Sequence, residues 1–241
     1  MICRSELQLG HKHTLLGIYI HIPFCRTRCP YCDFLSHAHC GAIPCEFIDA
    51  LCREIAAFDG SDAIGSIFFG GGTPSLLNER DLQTIFAALR QRFTLRNPEI
   101  SLEANPDDVT EPLVQMWRDC GINRVSLGVQ SFDDEVLRWL GRRHDADAAR
   151  RACDLVSAHF DNWAMDLMFG AHPISPWEAT LNECVSLAPK HVSCYGLTYE
   201  TATPFEARAD EAVDDDTWLD LYRQAHATLH AYDHYEISNF A

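Results

Sequence analysis

The segment Gly17–Cys32, GIYIHIPFCRTRCPYC, joins an apolar run to three closely spaced cysteines. Its first part, Gly17–Ile22, is rich in β-branched and aromatic residues, and this composition predicts a buried strand. Pro23 ends the run, so that Cys25 follows the predicted strand almost directly. The segment therefore predicts a strand that carries a cysteine-containing loop at its carboxyl end.

The same strand-and-loop unit recurs along the chain, because short β-rich runs alternate with longer stretches of helical periodicity. Six successive strand–helix units imply parallel strands with right-handed crossovers. An eight-unit barrel usually needs about 250 residues, so six units and a final strand in 241 residues predict a partial (β/α)6 TIM-like barrel. The alternative is a doubly wound open sheet. The predicted strands are Gly17–Ile22, Ser66–Phe69, Glu99–Glu103, Arg124–Gly128, Asn162–Met168, His191–Tyr195 and a final Tyr235–Phe240. The predicted helices are Ile43–Ala57, Asn78–Arg92, Glu111–Cys120, Asp133–Leu140 with Ala146–Ala158, Trp177–Leu187 and Trp218–Ala231.

Composition restricts the class of protein. With 47% hydrophobic residues the chain is expected to bury one large core, which we assign to residues 17–241 after a short N-terminal extension over residues 1–16. A net charge of −16 argues against nucleic acid as a partner, and against more than transient contact with an anionic membrane. The longest apolar run, Leu15–Phe24, is too short to span a bilayer. We therefore expect a cytoplasmic protein.

Three of the eleven cysteines form the candidate metal centre: Cys25, Cys29 and Cys32. The other eight are scattered, and we expect mostly buried, reduced thiols. In a cubane iron–sulfur cluster each iron usually has one thiolate ligand. Three cysteine thiolates would therefore leave one iron open to an external ligand. Zinc is the alternative, because structural zinc prefers four protein ligands and further donors follow closely in sequence: His37, His39 and Cys40.

Other polar or flexible residues occur where the next strands are predicted to end. Gly70–Pro74 follows the second strand, Glu103 ends the third, Gln130 follows the fourth, and Asp166 lies near the end of the fifth. Since parallel strands end at one edge of a sheet, we expect these residues on the same rim as the cysteines. Each also has a structural interpretation, such as a tight turn for the glycines or an ion pair for Glu103.

Motifs along nearly the whole chain resemble those of radical-SAM enzymes, and more narrowly the oxygen-independent coproporphyrinogen III oxidase-like group. The resemblance begins with Tyr19-Ile-His-Ile-Pro-Phe-Cys25, which leads into C-x3-C-x2-C. The further matching motifs, in the family's order, are Phe69–Ser75, Glu103–Pro106, Asn123–Phe132, Leu140–His144, Asp166–Gly170, Ser193–Thr198 and Tyr235–Ala241.

This resemblance implies that the three cysteines bind a [4Fe–4S] cluster, whose open iron binds S-adenosylmethionine. It also implies reductive cleavage of S-adenosylmethionine, fed by a flavodoxin- or ferredoxin-like electron donor. No catalytic residue is assigned. The residues that match the family's S-adenosylmethionine contacts are Tyr19, Gly71, Gly72, Thr73, Glu103, Gln130, Arg142 and Asp166. Arg142 alone also fits a solvated charge at a helix end, beside Arg143.

Phe34 separates two branches of the family. It stands where the oxidases resemble C-x3-C-x2-C-x-C, so its presence is typical of the haem chaperone branch, the HemW type. That branch implies haem as a ligand and a haem-acceptor protein as a partner. The alternatives are oxidative decarboxylation of coproporphyrinogen III, which the missing cysteine argues against, and another radical-SAM reaction. Since the sequence stops at Ala241, we expect the core without the family's C-terminal domain, as a fragment or a short form.

Overall fold

The computed structural model describes residues 2–7, 15–59 and 63–241. The chain divides into two compact units. The first contains residues 1–27, 34–104 and 111–125, and the second contains residues 28–33, 105–110 and 126–241. The division falls inside the predicted core of residues 17–241, and a single core domain stays a prediction.

Parallel strands form the centre of the first unit. Its strands are β1 (Ile2–Leu7), β2 (Leu15–Ile22), β3 (Phe24–Cys25), β4 (His37–Ala38), β5 (Ala63–Gly71) and β6 (Thr94–Ala104). Four of them lie in the order β1-β2-β5-β6, with β2, β5 and β6 parallel. β1 pairs with β2 in antiparallel register, so part of the predicted N-terminal extension forms a strand. The short strands β3 and β4 pair with each other.

Three amphipathic helices belong to the first unit: α1 (Cys45–Ala57), α2 (Glu79–Arg92) and α3 (Glu111–Cys120). In α2 the buried residues recur at helical spacing, since Leu82, Ile85, Phe86 and Leu89 form one face. Asn78 begins this helix with a capping box, in which its side chain accepts a hydrogen bond of 3.0 Å from the Asp81 amide. The predicted start of the helix at Asn78 is thus confirmed to within one residue.

The second unit contains the remaining elements. The strands are β7 (Arg124–Gln130, whose first two residues belong to the first unit), β8 (Trp163–Phe169), β9 (His191–Gly196) and β10 (Asn239–Phe240), in the order β7-β8-β9-β10. The helices are α4 (Asp134–Trp139), α5 (Ala146–His159), α6 (Trp177–Leu187) and α7 (Asp215–Thr228). α7 begins three residues before the predicted Trp218, because the Asp214 carboxylate caps it by accepting a hydrogen bond of 2.7 Å from the Thr217 amide.

The final strand departs from the prediction. Only Asn239–Phe240 is a strand, and it pairs with β9 in antiparallel register. The prediction of parallel strands concerns the six strand–helix units, whereas this final strand lies outside them and runs antiparallel. The reason is a chain reversal: Asp233 and Ala241 exchange two backbone hydrogen bonds, and His234 bridges Phe240. This tight return fixes the direction of the last residues.

A buried apolar cluster organises the second unit near the cysteine loop. It consists of Val136, Leu140, Ala171, Leu197 and Phe205. Tyr31, from the cysteine loop, packs against this cluster. None of the helices in the described ranges has the length and hydrophobicity that a bilayer crossing requires.

Candidate functional site

Two of the three predicted cluster ligands lie at the ends of one turn in the second unit. The Cys32 amide donates a hydrogen bond of 3.1 Å to the Cys29 carbonyl, which closes the turn. Arg28 Nη2 donates to the Cys32 carbonyl at 3.0 Å. The C-x2-C spacing therefore matches a tight turn that is fixed by its own backbone.

Tyr31 and Pro30 attach this turn to the apolar cluster. The Tyr31 ring lies edge-on to the Phe205 ring, with 6.0 Å between the ring centroids. The Phe205 amide donates a hydrogen bond of 3.1 Å to the Pro30 carbonyl. Burial raises the pKa of the Tyr31 phenol above its usual range, and the Arg142 charge opposes that shift. Tyr31 therefore packs against the core as a neutral phenol and holds the loop in place.

Arg142 contacts the Cys29 sulfur directly. Its Nη1 donates to Cys29 Sγ at 3.2 Å and to Tyr31 Oη at 3.3 Å. Its Nη2 donates to Asn105 Oδ1 at 2.6 Å and to the Gly128 carbonyl at 2.9 Å. Burial acts to lower the pKa of the guanidinium, but Tyr31 and Cys29 outweigh it and the pKa is raised. The interpretation of Arg142 as a solvated charge is therefore wrong, since its guanidinium is buried among acceptors.

The backbone that carries Arg142 is fixed by the end of α4. Gly141 has a left-handed backbone with φ of 69°. Its amide donates to the Arg138 carbonyl at 3.1 Å, and the Arg142 amide donates to the Leu137 carbonyl at 2.9 Å. This pair of bonds is a Schellman motif, in which glycine supplies the left-handed residue. A Cβ on Gly141 would lie 2.7 Å from Cδ of Pro30, so the helix end and the cysteine loop touch without room for a side chain.

His144 adds a buried neutral group close to Arg142. Its Nε2 lies 3.0 Å from the Val129 carbonyl, which can only accept, so Nε2 carries the proton. Burial, helped by the positive charge of Arg142, lowers the pKa of His144 to about 4. The imidazole is therefore uncharged near neutral pH.

The remaining predicted cluster ligand, Cys25, lies in the first unit at the end of β3, and its side chain is buried. Its carbonyl accepts a hydrogen bond of 2.7 Å from the His39 amide, part of the pairing of β3 with β4. Of the donors considered for zinc, His39 bonds through Nε2 to the Ala42 carbonyl at 2.8 Å. Within the described ranges, no three His, Cys, Asp or Glu side chains converge on a position for a single metal ion.

Three predicted S-adenosylmethionine contacts meet at the carboxyl ends of β2, β5 and β6 in the first unit. The Gly71 amide donates a hydrogen bond of 3.1 Å to Glu103 Oε2. Burial, and then the negative charge of Glu103, raises the pKa of Tyr19 to about 12. Tyr19 Oη lies 3.1 Å from His21 Nδ1. The edge therefore combines a carboxylate, a neutral phenol and an imidazole, a set that suits a ligand with both donors and acceptors.

The glycine triplet also has a packing role that the sequence left open. A Cβ on Gly72 would lie 2.7 Å from the Phe24 carbonyl, and one on Gly70 would lie 2.9 Å from the Tyr19 ring. The Gly72 amide donates to the Ile22 carbonyl at 2.9 Å. Gly70 and Gly72 thus allow β5 to approach the segment that leads into the cysteines. Thr73 is buried beside them, and its contact with a ligand stays a prediction, as it does for Gly71 and Gly72.

Gln130 and Asp166 lie on neighbouring strands of the second unit. Gln130 ends β7 with φ of 67°, and the Ser131 amide closes a turn around it by donating to the Val129 carbonyl at 2.9 Å. A non-glycine residue in this conformation costs about 1–3 kcal/mol and is enriched at functional sites. Asp166, on β8, accepts from Ser126 Oγ, at 3.4 Å to each carboxylate oxygen.

The sequence interpretation missed the acceptors of Arg142. Asn105 lies inside the motif Glu103–Pro106, but the motif predicts no separate role for it. The available signal is an amide side chain two residues after the carboxylate that ends the predicted strand. The Gly128 carbonyl left no signal, because a backbone atom is common to every residue.

The radical SAM superfamily model matches residues 19–184 of the chain. The chain is 40% identical over 237 residues to the heme chaperone HemW of Escherichia coli, covering 94% of this chain and 62% of that protein. It is 38% identical to the heme chaperone HemW of Haemophilus influenzae, covering 94% of this chain and 63% of the relative. The chain thus spans less than two thirds of the length of these relatives.

A solved structure extends the likeness to the fold. Coproporphyrinogen III oxidase (HemN) of Escherichia coli, described as a radical SAM enzyme, superposes with a TM-score of 0.79 at 25% identity. The superposition covers 92% of this chain and 54% of that one. The predicted partial TIM-like barrel is confirmed by this likeness, with antiparallel β1 and β10 as additions.

We predict that Gly141→Ala destabilises the fold through two separable effects. The left-handed backbone costs about 1–2 kcal/mol with a side chain present, and contact with Pro30 adds about 1–3 kcal/mol of overpacking. A double-mutant cycle with Pro30→Ala, measured by chemical denaturation, separates the two effects. Pro30→Ala removes the Cγ and Cδ atoms that a Cβ at position 141 would contact. We expect a coupling of at least about 1 kcal/mol. Additive losses would show that the two residues do not compete for space.

We predict that His144 makes stability fall as the solution is acidified. Its pKa is lowered from 6.5 to about 4 in the folded state. Its contribution is therefore complete above pH 6.5 and is lost towards pH 4, because only the unfolded chain takes up the proton. The slope should reach about 1.4 kcal/mol per pH unit. His144→Gln keeps a donor for Val129 and should flatten the stability profile across this range. An unchanged profile would assign the acid sensitivity elsewhere.

Proposed function

Because the chain belongs to the radical SAM superfamily, a family that implies a [4Fe–4S] cluster and S-adenosylmethionine, we propose that Cys25, Cys29 and Cys32 hold that cluster. Supporting this, none of the three is in a disulfide. Phe34 supplies no fourth thiolate at the position where the oxidases have one. The donor set fits a cluster with one iron left for an external ligand.

The observation that carries this proposal is the hydrogen bond from Arg142 to Cys29 Sγ. A cationic donor at 3.2 Å places a positive charge where a cluster-ligating sulfur would carry negative charge. A second observation concerns the same guanidinium. Arg142 Nε is buried and has no hydrogen-bond partner among the described residues, so it is available to an acceptor on a bound ligand.

For S-adenosylmethionine we propose the residues predicted from the sequence. Glu103 presents a carboxylate to a cationic ligand, and the Gly71 amide orients it. The left-handed conformation of Gln130 fits a residue that is held for binding. The complete set is Tyr19, Gly71, Gly72, Thr73, Glu103, Gln130, Arg142 and Asp166.

The chemistry divides between the bound groups and the protein. When bound, the cluster supplies the electron for reductive cleavage of S-adenosylmethionine. The chain contributes orientation and charge: Arg142 holds a positive charge at Cys29, and Tyr31 fixes the loop that carries Cys29 and Cys32. A flavodoxin- or ferredoxin-like protein is the proposed electron donor.

For the whole protein we propose a role in haem delivery in the cytoplasm, with a haem-acceptor protein as partner. The two relatives described above are named heme chaperones. Phe34 agrees with that branch, and its side chain is 62% exposed. The second candidate, oxidation of coproporphyrinogen III, is favoured by the structural likeness to HemN but opposed by Phe34.

We predict that alanine at Cys25, Cys29 or Cys32 abolishes cluster assembly. After anaerobic reconstitution, iron and labile sulfide should fall to background in each variant. Cys40→Ala and Cys45→Ala are matched controls, since both thiols are exposed and outside the triplet. Both should keep the cluster and its spectral change on addition of S-adenosylmethionine. Bound zinc without sulfide, lost in Cys40→Ala, would favour the zinc alternative.

We predict that the reconstituted chain binds haem without converting coproporphyrinogen III. Titration with haem should shift the Soret band and saturate. Anaerobic incubation with coproporphyrinogen III, S-adenosylmethionine and a reductant should give no decarboxylated product. Product together with 5′-deoxyadenosine would instead establish the oxidase reaction, and the Soret titration would show whether haem binding accompanies it.

A further inference from the structure

We propose that Arg142 is a positioning residue that raises the reduction potential of the cluster through its contact with Cys29. The inference rests on the proposed cluster at Cys25, Cys29 and Cys32. It goes beyond the predicted contact of Arg142 with S-adenosylmethionine, because it assigns the guanidinium an effect on the cluster before any ligand binds.

The position of the charge is fixed from both sides of the guanidinium. Nη1 is held by Cys29 Sγ at 3.2 Å and Tyr31 Oη at 3.3 Å. Nη2 is held by Asn105 Oδ1 at 2.6 Å and the Gly128 carbonyl at 2.9 Å. The Schellman motif fixes the backbone below it. The charge therefore lies beside the sulfur without rearrangement.

Within the part of the chain that the structure describes, Arg142 has four acceptors: a cysteine sulfur, a phenol, an amide oxygen and a peptide carbonyl. None of these four is a carboxylate that would neutralise the charge. The adjacent Arg143 has a different environment. It forms an ion pair with Asp107, and its side chain is 39% exposed. Arg142 thus acts on Cys29 with its full charge, whereas the charge of Arg143 is paired and partly screened by solvent.

The direction of the effect follows from charge. Reduction adds an electron to the cluster, so a positive charge near a ligand sulfur stabilises the reduced form more than the oxidised form. Hydrogen bonds to cluster sulfurs and local charge are known determinants of iron–sulfur potentials. Burial of the guanidinium strengthens the interaction, because water screens it less.

The test is a potentiometric titration of the full chain after anaerobic reconstitution, followed by electron paramagnetic resonance. It is run without S-adenosylmethionine, so that contacts with that ligand do not contribute. In Arg142→Gln the ratio of reduced to oxidised cluster at a fixed potential should fall at least tenfold, which is about 59 mV for one electron. Arg143→Gln is the matched control and should keep the wild-type midpoint.

Asn105→Asp provides a second variant in case Arg142→Gln assembles no cluster. It is nearly isosteric and keeps an acceptor for Nη2, but adds a negative charge against the guanidinium. Its midpoint should also fall. Variants that carry the full cluster with an unchanged midpoint would overturn the inference and leave the proposed function standing. A wild-type chain that assembles no iron–sulfur cluster would overturn both.

Discussion

Burial of the Arg142 guanidinium is the constraint around which the second unit is arranged. A buried cation is costly unless acceptors surround it, and here they come from separate parts of the chain. Cys29 and Tyr31 belong to the cysteine loop, Asn105 follows β6, and Gly128 lies in β7. Satisfying one side chain therefore fixes three segments relative to the end of α4.

The first unit is subject to a different constraint. Its backbone segments pack closely at the glycine run, and the same run also orients a polar group. Gly72 lies so near the Phe24 and Ile22 carbonyls that no side chain fits there. The next residue back, Gly71, uses its amide to hold the Glu103 carboxylate. The glycine run thus serves packing and orientation together, and a motif interpreted only as a ligand cradle would miss the first role.

Family membership identifies the superfamily of the chain, whereas individual residues bear on its branch within that superfamily. The match over residues 19–184 establishes the superfamily, and this superfamily implies a [4Fe–4S] cluster and S-adenosylmethionine. It does not decide between haem delivery and oxidation, because the relatives and the solved structure belong to different branches. We propose Phe34 as the residue in this chain that distinguishes the two branches, since a phenyl ring cannot ligate iron.

The sequence by itself determined the features that depend on neighbouring residues. Periodicity located α2 to within one residue, and the spacing of Cys29 and Cys32 matches the turn that joins them. Tertiary structure alone decided the antiparallel direction of β10 and the acceptors of Arg142. Arg142 and Cys29 are separated by 113 positions in sequence, so no local pattern could pair them. Such contacts form only when packing brings distant segments together, because a buried charge must then find its partners wherever the fold supplies them.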